Sequence, residues 1–418
     1  MSELRPRSEL RTATPGIARH GQLKRNRAWP LVLQILGISL AVVLVSTVSV
    51  SAVVVNSLTS KIAPTIELTQ PTEGPLPQIG AIEGGFNILI VGSDTRAGQN
   101  GIGGDETEET GQLNDVNMLL HVSQDQTNAV AISFPRDMVV GIPECTDSDG
   151  DTKGYSTEPI NVALYYGGLD CVAQTVTELT GLPIQFAGII TFNGVIAMGD
   201  AIGGVPVCVT GPINDPYTGL TIDAAGTYDL KGVDALAFLR SRHGVGDGSD
   251  LTRIASQQVY LSSLVRKLQG EETLADPKKV YDLASAALTN MQLSSSLGSL
   301  DTMVSIALAL KDIPPSNVTF VQYPGTTGGS GLYEGKVQPD TYAGDQLMQY
   351  IIADQPFALE AEGDNRGSTV DPNAPAPEQP STPDPTATEE AAPPVEKPVV
   401  SGVTGQTADA YTCSIANE

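Results

Sequence analysis

Apolar residues in this chain repeat with two periods, and the changes of period divide it into elements. The run FNILIV at 86–91 is short and almost wholly apolar, the pattern of a strand buried on both faces. Residues 115–122 and 128–134 follow, and the polar Asp125-Gln-Thr-Asn128 between them predicts a hairpin. Spacing then turns helical over 169–179 and stops at Thr180-Gly181, with Pro183 beyond. Residues 187–190 predict a strand, 192–202 a helix, 205–209 a strand and 234–239 a helix. An amphipathic helix follows over 251–268, with Ser249 or Asp250 as its cap. Helices at 277–291, 297–310 and 340–353 surround a further strand at 318–323. Strands interleaved with helices predict a three-layer α/β/α domain with a central mixed β-sheet.

The flanks carry other patterns. WPLVLQILGISLAVVLVSTVSVSAVVV at 29–55 holds no charge, and spanning a bilayer core takes roughly 20 apolar residues. It predicts one transmembrane helix ahead of the α/β domain. Small residues at 48–52 would also suit a signal-peptide cleavage site, but apolar regions of signal peptides run only about 7–15 residues. Residues 1–28 carry Arg5, Arg7, Arg11, Arg19, Lys24, Arg25 and Arg27 against Glu3 and Glu9, a basic tail that places this side in the cytoplasm. The chain is therefore expected in the cell membrane, single-pass, with its larger part outside. Residues 56–84, with four prolines, predict an extracellular stalk, and 85–357 one globular domain. Residues 358–418, rich in Pro, Glu, Ala and Thr, predict a disordered tail.

Charge narrows the function. The chain carries a net charge of −25, and the basic tail leaves about −30 on the remainder, which argues against nucleic acid as a partner. The four cysteines, Cys145, Cys171, Cys208 and Cys413, form no Cys-x-x-Cys pair, and outside the membrane disulfides can persist. Of three possible pairings Cys145 with Cys171 is preferred, because they lie closest in sequence; the partners of Cys208 and Cys413 stay open.

Between residues 80 and 260 only seven basic side chains face twenty-three acidic ones, and three of the seven are Arg240, Arg242 and Arg253. Clustered guanidiniums in so acidic a stretch suggest a site for a concentrated anion, since the planar fork matches phosphate oxygens. Pairing with Asp247 and Asp250 is the plainer alternative. Arg96 and Arg136 follow predicted strands, where open α/β sheets bind ligands. Asp94 and Asp115 also stand at strand ends, and two such carboxylates can share a magnesium ion with substrate phosphate. Asp250, Arg253 and Gln257 share one polar face of the predicted helix. His243 beside Arg242 is a weaker candidate, better explained as a loop histidine, and no nucleophilic triad is visible. The apolar run 184–209 suits a tunnel wall for a lipid tail or ordinary core.

The series NILIVGSDTR, NDVNMLLHVS, ISFPRD, INVALYYGGLDC, FNGVIAMGDAIGGVPVCV and LKGVDALAFLRSRHGVGDGSDLTRIASQQ resembles the LytR-CpsA-Psr family of cell-wall proteins over 85–268, and with the tail and anchor its actinobacterial branch. The resemblance implies a magnesium-dependent phosphotransferase that moves a glycopolymer from a polyprenyl-pyrophosphate carrier to peptidoglycan. It implies Asp94 and Asp115 as magnesium ligands, Arg136, Arg240, Arg242 and Arg253 as pyrophosphate contacts with Asp250 orienting them, and Arg96 and Gln257 as further head-group contacts. The chain departs from the family at Leu113-Asn-Asp-Val116 and Pro159-Ile-Asn161, where an arginine and a lysine often stand. A non-catalytic regulator that binds polyprenyl pyrophosphate, or a pyrophosphatase, would use much of the same arginine set. Phosphoryl transfer itself needs positioning and charge neutralisation more than a protein nucleophile.

Overall fold

The computed structural model describes residues 28–60, 64–69, 84–96, 99, 112–270, 276–374 and 397–417. The chain divides into two compact units, one ending at Asn56 and one starting at Ser57. In the first, helix α1 (Ala28–Thr59) covers the uncharged segment 29–55 and runs three residues into the second unit. Among the described residues no helix is long and apolar enough to cross a membrane. The basic tail 1–27 and the loop 100–111 lie outside the described residues.

The second unit is built on a seven-stranded mixed sheet. Strand β1 (Phe86–Ser93) lies inside the sheet, antiparallel to β2 (Asn114–Val122) and parallel to the strand Phe186–Ile190. β2 pairs antiparallel with β3 (Ala129–Phe134), which in turn runs parallel to Val318–Gln322. Alternation along β1 sends Leu89 and Val91 to one face and Phe86 and Ile88 to the other. The first face packs Val172 and Val176 of helix α2 (Ala163–Thr180) together with Leu347 and Ile351 of the helix Thr341–Ile352. The second packs Ile306 of the helix Leu300–Lys311, with the half-buried Leu261 and Val265 beside it. Both faces are covered, so the strands read as apolar throughout.

A smaller core lies beside this sheet. Helices α3 (Phe192–Ala201), α4 (Gly232–Arg240) and α5 (Asp250–Gln269) enclose it with the strand Val205–Val209, around Val207, Phe238 and Tyr260. The α5 cap is Ser249, whose hydroxyl accepts from the Thr252 amide at 3.3 Å.

Two sequence expectations need correction. Residues 358–418 are not disordered throughout: Ser368–Val370, Gly405–Thr407 and Thr412–Ser414 are strands. Gly405–Thr407 extends the main sheet beside Val318–Gln322, and Thr412–Ser414 inserts between Val205–Val209 and Ser368–Val370. Each segment is only three residues long, and its partner edge is formed far away in sequence, so no local period announces it. The Pro-rich part, 375–396, lies outside the described residues. In the expected stalk, residues 64–69 are docked on the domain: Ile66 exchanges backbone bonds with Leu293 and Ser295, and the Thr69 amide donates to Asp170 Oδ1 at 2.7 Å.

The preferred disulfide, Cys145–Cys171, is present, and Cys208 pairs with Cys413. Helix α2 begins six residues earlier than its periodicity suggests and kinks at Gly167-Gly168. A Cβ on Gly167 would sit 2.8 Å from the Cys145 Cβ and 2.9 Å from the Cys171 Cβ, so only glycine admits the disulfide here. Gly167→Ala is expected to cost about 1–3 kcal/mol through overpacking. Thermal unfolding checks this, and a melting temperature equal to wild type would refute the close approach.

Candidate active site

The carboxyl ends of β1 and β3 meet the start of β2 and of α5. Register along β1 and β2 slips between Gly92 and Ser93, which face Val116 and Asn114, so Asp115 is the bulged residue. Bulges re-aim a side chain, and this one sends Asp115 into a cavity. Gly92 permits the approach, since a Cβ there would lie 2.9 Å from the Val116 Cβ. Asp94 follows β1 and is stitched to Leu113, donating its amide to the Leu113 carbonyl at 3.1 Å and accepting the Leu113 amide on Oδ1 at 2.9 Å.

Pro135 follows β3 and presents Arg136, whose Nη1 donates to Asp115 Oδ1 at 2.5 Å. The Arg136 backbone amide donates to Asp250 Oδ2 at 3.0 Å, tying this turn to the first residue of α5. One turn along α5, Arg253 Nη2 meets Asp250 Oδ1 at 2.5 Å and donates to the Asp115 carbonyl at 3.0 Å. The sequence places Asp250 and Arg253 on one polar helix face. They are an ion pair only 4–6% exposed, which a solvated face would not give. Gln257 donates to the Leu239 carbonyl at 2.8 Å, linking α5 to the end of α4. There Arg240 lies over the Phe192 ring, 4.5 Å from its centroid.

Asp215 is a contributor that sequence reasoning missed. It is 1% exposed and accepts from Ser241 Oγ (2.7 Å) and the Arg242 amide (3.2 Å) on Oδ2, and from the Tyr217 amide (3.0 Å) on Oδ1. Burial pushes its carboxyl up, but these donors outweigh burial and hold it below the usual carboxylate range. Asn114 was missed as well: its amide group bonds Asn117 (2.6 Å) and the Ile160 carbonyl (3.1 Å), bracing the start of β2. Both are ordinary-looking Asx residues near turns, and only their burial marks them.

The electrostatics are those of a concentrated cationic site. Burial lowers Arg240 and Arg253, disfavouring their charge in the absence of an anion. Burial also pulls Arg136 down, but Asp115 more than offsets it and the group is held up. Asp94 is raised, chiefly by burial and further by Asp115. Arg242 Nε and Arg253 Nε are buried donors without a hydrogen-bond partner. Buried donors are almost always satisfied, so these two point to a missing acceptor.

Asp115, Arg136, Arg240, Arg242, Arg253, Gln257 and His243 line one cavity of about 630 Å³. Its other walls are apolar: Ile190, Phe192, Val195, Met198, Ile202, Leu236, Leu261 and Leu264. Part of the 184–209 run is thus cavity wall, while Ile184, Val205, Val207 and Val209 are core. Asp94 and Arg96 are not among the lining residues, and Arg96 lies near enough to act on both Asp94 and Arg240.

The model of the LytR_cpsA_psr family matches residues 49–349. The chain belongs to the LytR-CpsA-Psr family. It is similar to the cell wall biosynthesis protein LcpA of Corynebacterium glutamicum, with 28% identity over 70% of this chain and 60% of that protein. Similarity also extends to TagT of Bacillus subtilis, a polyisoprenyl-teichoic acid–peptidoglycan teichoic acid transferase, with 27% identity over 56% of this chain and 71% of TagT. The chain spans 60% of LcpA and 47% of LcpB, a second relative from C. glutamicum. In fold it matches the LytR-CpsA-Psr enzyme from Actinomyces oris, with a TM-score of 0.51 and 22% identity over 69% of this chain and 96% of that one.

Proposed function

We propose that this member of the LytR-CpsA-Psr family is a phosphotransferase that moves a glycopolymer from a polyprenyl-pyrophosphate carrier onto peptidoglycan. The observation that carries this reading is one cavity with unpartnered buried guanidinium donors at one end and apolar walls along the rest. A pyrophosphate suits the first and a polyprenyl chain the second, so the two chemistries of the donor are met in one space. The names of the LcpA and TagT relatives agree with it.

In the proposed step, a muramic acid hydroxyl oxygen forms a bond to the phosphorus that bears the polymer. The P–O bond to the bridging oxygen breaks, and polyprenyl phosphate departs, its protonation balancing the proton lost by the hydroxyl. Arg136, Arg240, Arg242 and Arg253 hold and neutralise the pyrophosphate oxygens. Asp250 orients Arg136 through its amide and Arg253 through its side chain. Asp94 and Asp115 would hold the magnesium ion, and the two carboxylates lie near enough for Asp115 to raise the Asp94 carboxyl in addition to the larger effect of burial. When bound, the ion would neutralise developing negative charge on phosphate. By its uncharged sequence the segment 29–55 would anchor the chain at the cell membrane, with the larger part outside the cell.

The test is to incubate the full chain in detergent with a polyprenyl-pyrophosphate oligosaccharide, magnesium and peptidoglycan fragments, and to look for linked product that is lost when magnesium is chelated. Free phosphate alone would favour a pyrophosphatase, and donor bound without turnover a regulator. Arg242→Ala is expected to weaken donor binding by about 1.5–3 kcal/mol, the worth of charge-assisted hydrogen bonds. Calorimetric titration showing unchanged affinity would remove Arg242 from the site.

A further inference from the structure

We propose that Tyr217 is the stacking platform for the first sugar ring attached to the donor's pyrophosphate, and so helps decide which glycopolymers are accepted. The inference rests on the proposed function and adds a specificity contact to it. Tyr217 lies in the turn between the paired strands Ile213–Asp215 and Leu220–Ile222. Its side chain is 76% exposed, yet it lines the same cavity as Arg240 and Arg242. A large ring held in water at the polar mouth of a cavity has no core role to explain it.

The ring is held in place. The His243 imidazole lies against it, tilted by 38° with centroids 4.4 Å apart, and the His243 carbonyl accepts from Asn417 Nδ2 at 2.9 Å. The buried Asp215 carboxylate accepts from the backbone amides of both Tyr217 and Arg242, so the two stretches of chain that carry the ring and the guanidinium are set relative to each other by one group. At this exposure most of the Tyr217 ring remains open to a ligand. In a glycosyl pyrophosphate the sugar ring is joined to phosphate through one oxygen. A phosphate held by Arg242 therefore places that sugar within reach of a neighbouring side chain. The C–H face of a pyranose is apolar and weakly positive, which complements the negative face of an aromatic ring, while its edge hydroxyls remain wet. The ligand class is thus a pyranosyl pyrophosphate.

The experiment compares two probes on the full chain in detergent: polyprenyl pyrophosphate without sugar, and the same carrier bearing one N-acetylhexosamine. Wild type is expected to bind the sugar-bearing probe more tightly. Tyr217→Ala and Tyr217→Leu should weaken that probe by about two- to tenfold, the range of an aromatic stack, and leave the bare probe unchanged. Tyr217→Phe should retain the preference, because the ring remains. The leucine variant keeps apolar bulk, so its loss would assign the effect to the ring. Equal weakening of both probes by Tyr217→Ala, or an unchanged preference, would overturn the platform. Wild type binding both probes equally would overturn it too while leaving the proposed function standing. Binding neither probe would overturn both.

Discussion

Asp250→Ala is expected to destabilise the protein by about 3–5 kcal/mol, the cost of removing one partner from a buried ion pair. The carboxylate is 4% exposed and serves two partners that lie far apart in sequence. Its loss would leave the Arg253 guanidinium, 6% exposed, without its counter-ion. It would also orphan the Arg136 amide, which donates to Asp250 Oδ2 at 3.0 Å. Arg253 keeps its bond to the Asp115 carbonyl, but a neutral acceptor does not offset a buried charge. Unfolding should move down on the order of 10 °C. Asp250→Asn should lose less, because its side-chain carbonyl can still accept from Arg136 while the charge balance changes. A melting curve of Asp250→Ala that overlays the wild type would show that the pair is solvated after all. That result would also weaken the case for a preformed cationic pocket.

Replacing Cys208 and Cys413 together by serine is expected to cost about 5 kcal/mol in the chain-entropy model, because the disulfide closes a span of 205 residues. The Cys145–Cys171 bridge spans 26 residues and should contribute about 3.5 kcal/mol. The two losses should differ in kind as well. Thr412–Ser414 is a short strand held against Val205–Val209 by two residue pairs, one of them the disulfide itself. The residues after it support the loop that carries Arg242. The Ile415 carbonyl accepts the Gly246 amide at 2.8 Å, the Asn417 amide donates to the Gly244 carbonyl at 3.0 Å, and Asn417 Nδ2 reaches the His243 carbonyl. Freeing this segment should loosen the loop and lower pyrophosphate affinity together with stability. Loss of Cys145–Cys171 should lower stability alone. Melting curves and pyrophosphate titration of both double variants separate the cases. Unchanged affinity without Cys208–Cys413 would show that the loop needs no brace.

These expectations draw on different levels of the molecule. Amino-acid order alone determined the strands 86–91, 115–122 and 128–134, the helix over 251–268, the arginine set and the preferred Cys145–Cys171 pair. Each is local: an apolar period, a cap such as Ser249, a charge anomaly or a short loop closure. Only the tertiary structure decided that Asp115 is bulged toward Arg136, that Asp250 and Arg253 are buried, and that Asp215 holds the Tyr217 and Arg242 amides on one carboxylate. It also decided that Gly405–Thr407 and Thr412–Ser414 return as strands beside Val318–Gln322 and Val205–Val209. The physical reason is the same in every case. A side chain's period is set by its neighbours in sequence, whereas its burial and its hydrogen-bond partner are set by chain that arrives from as far as 205 residues away.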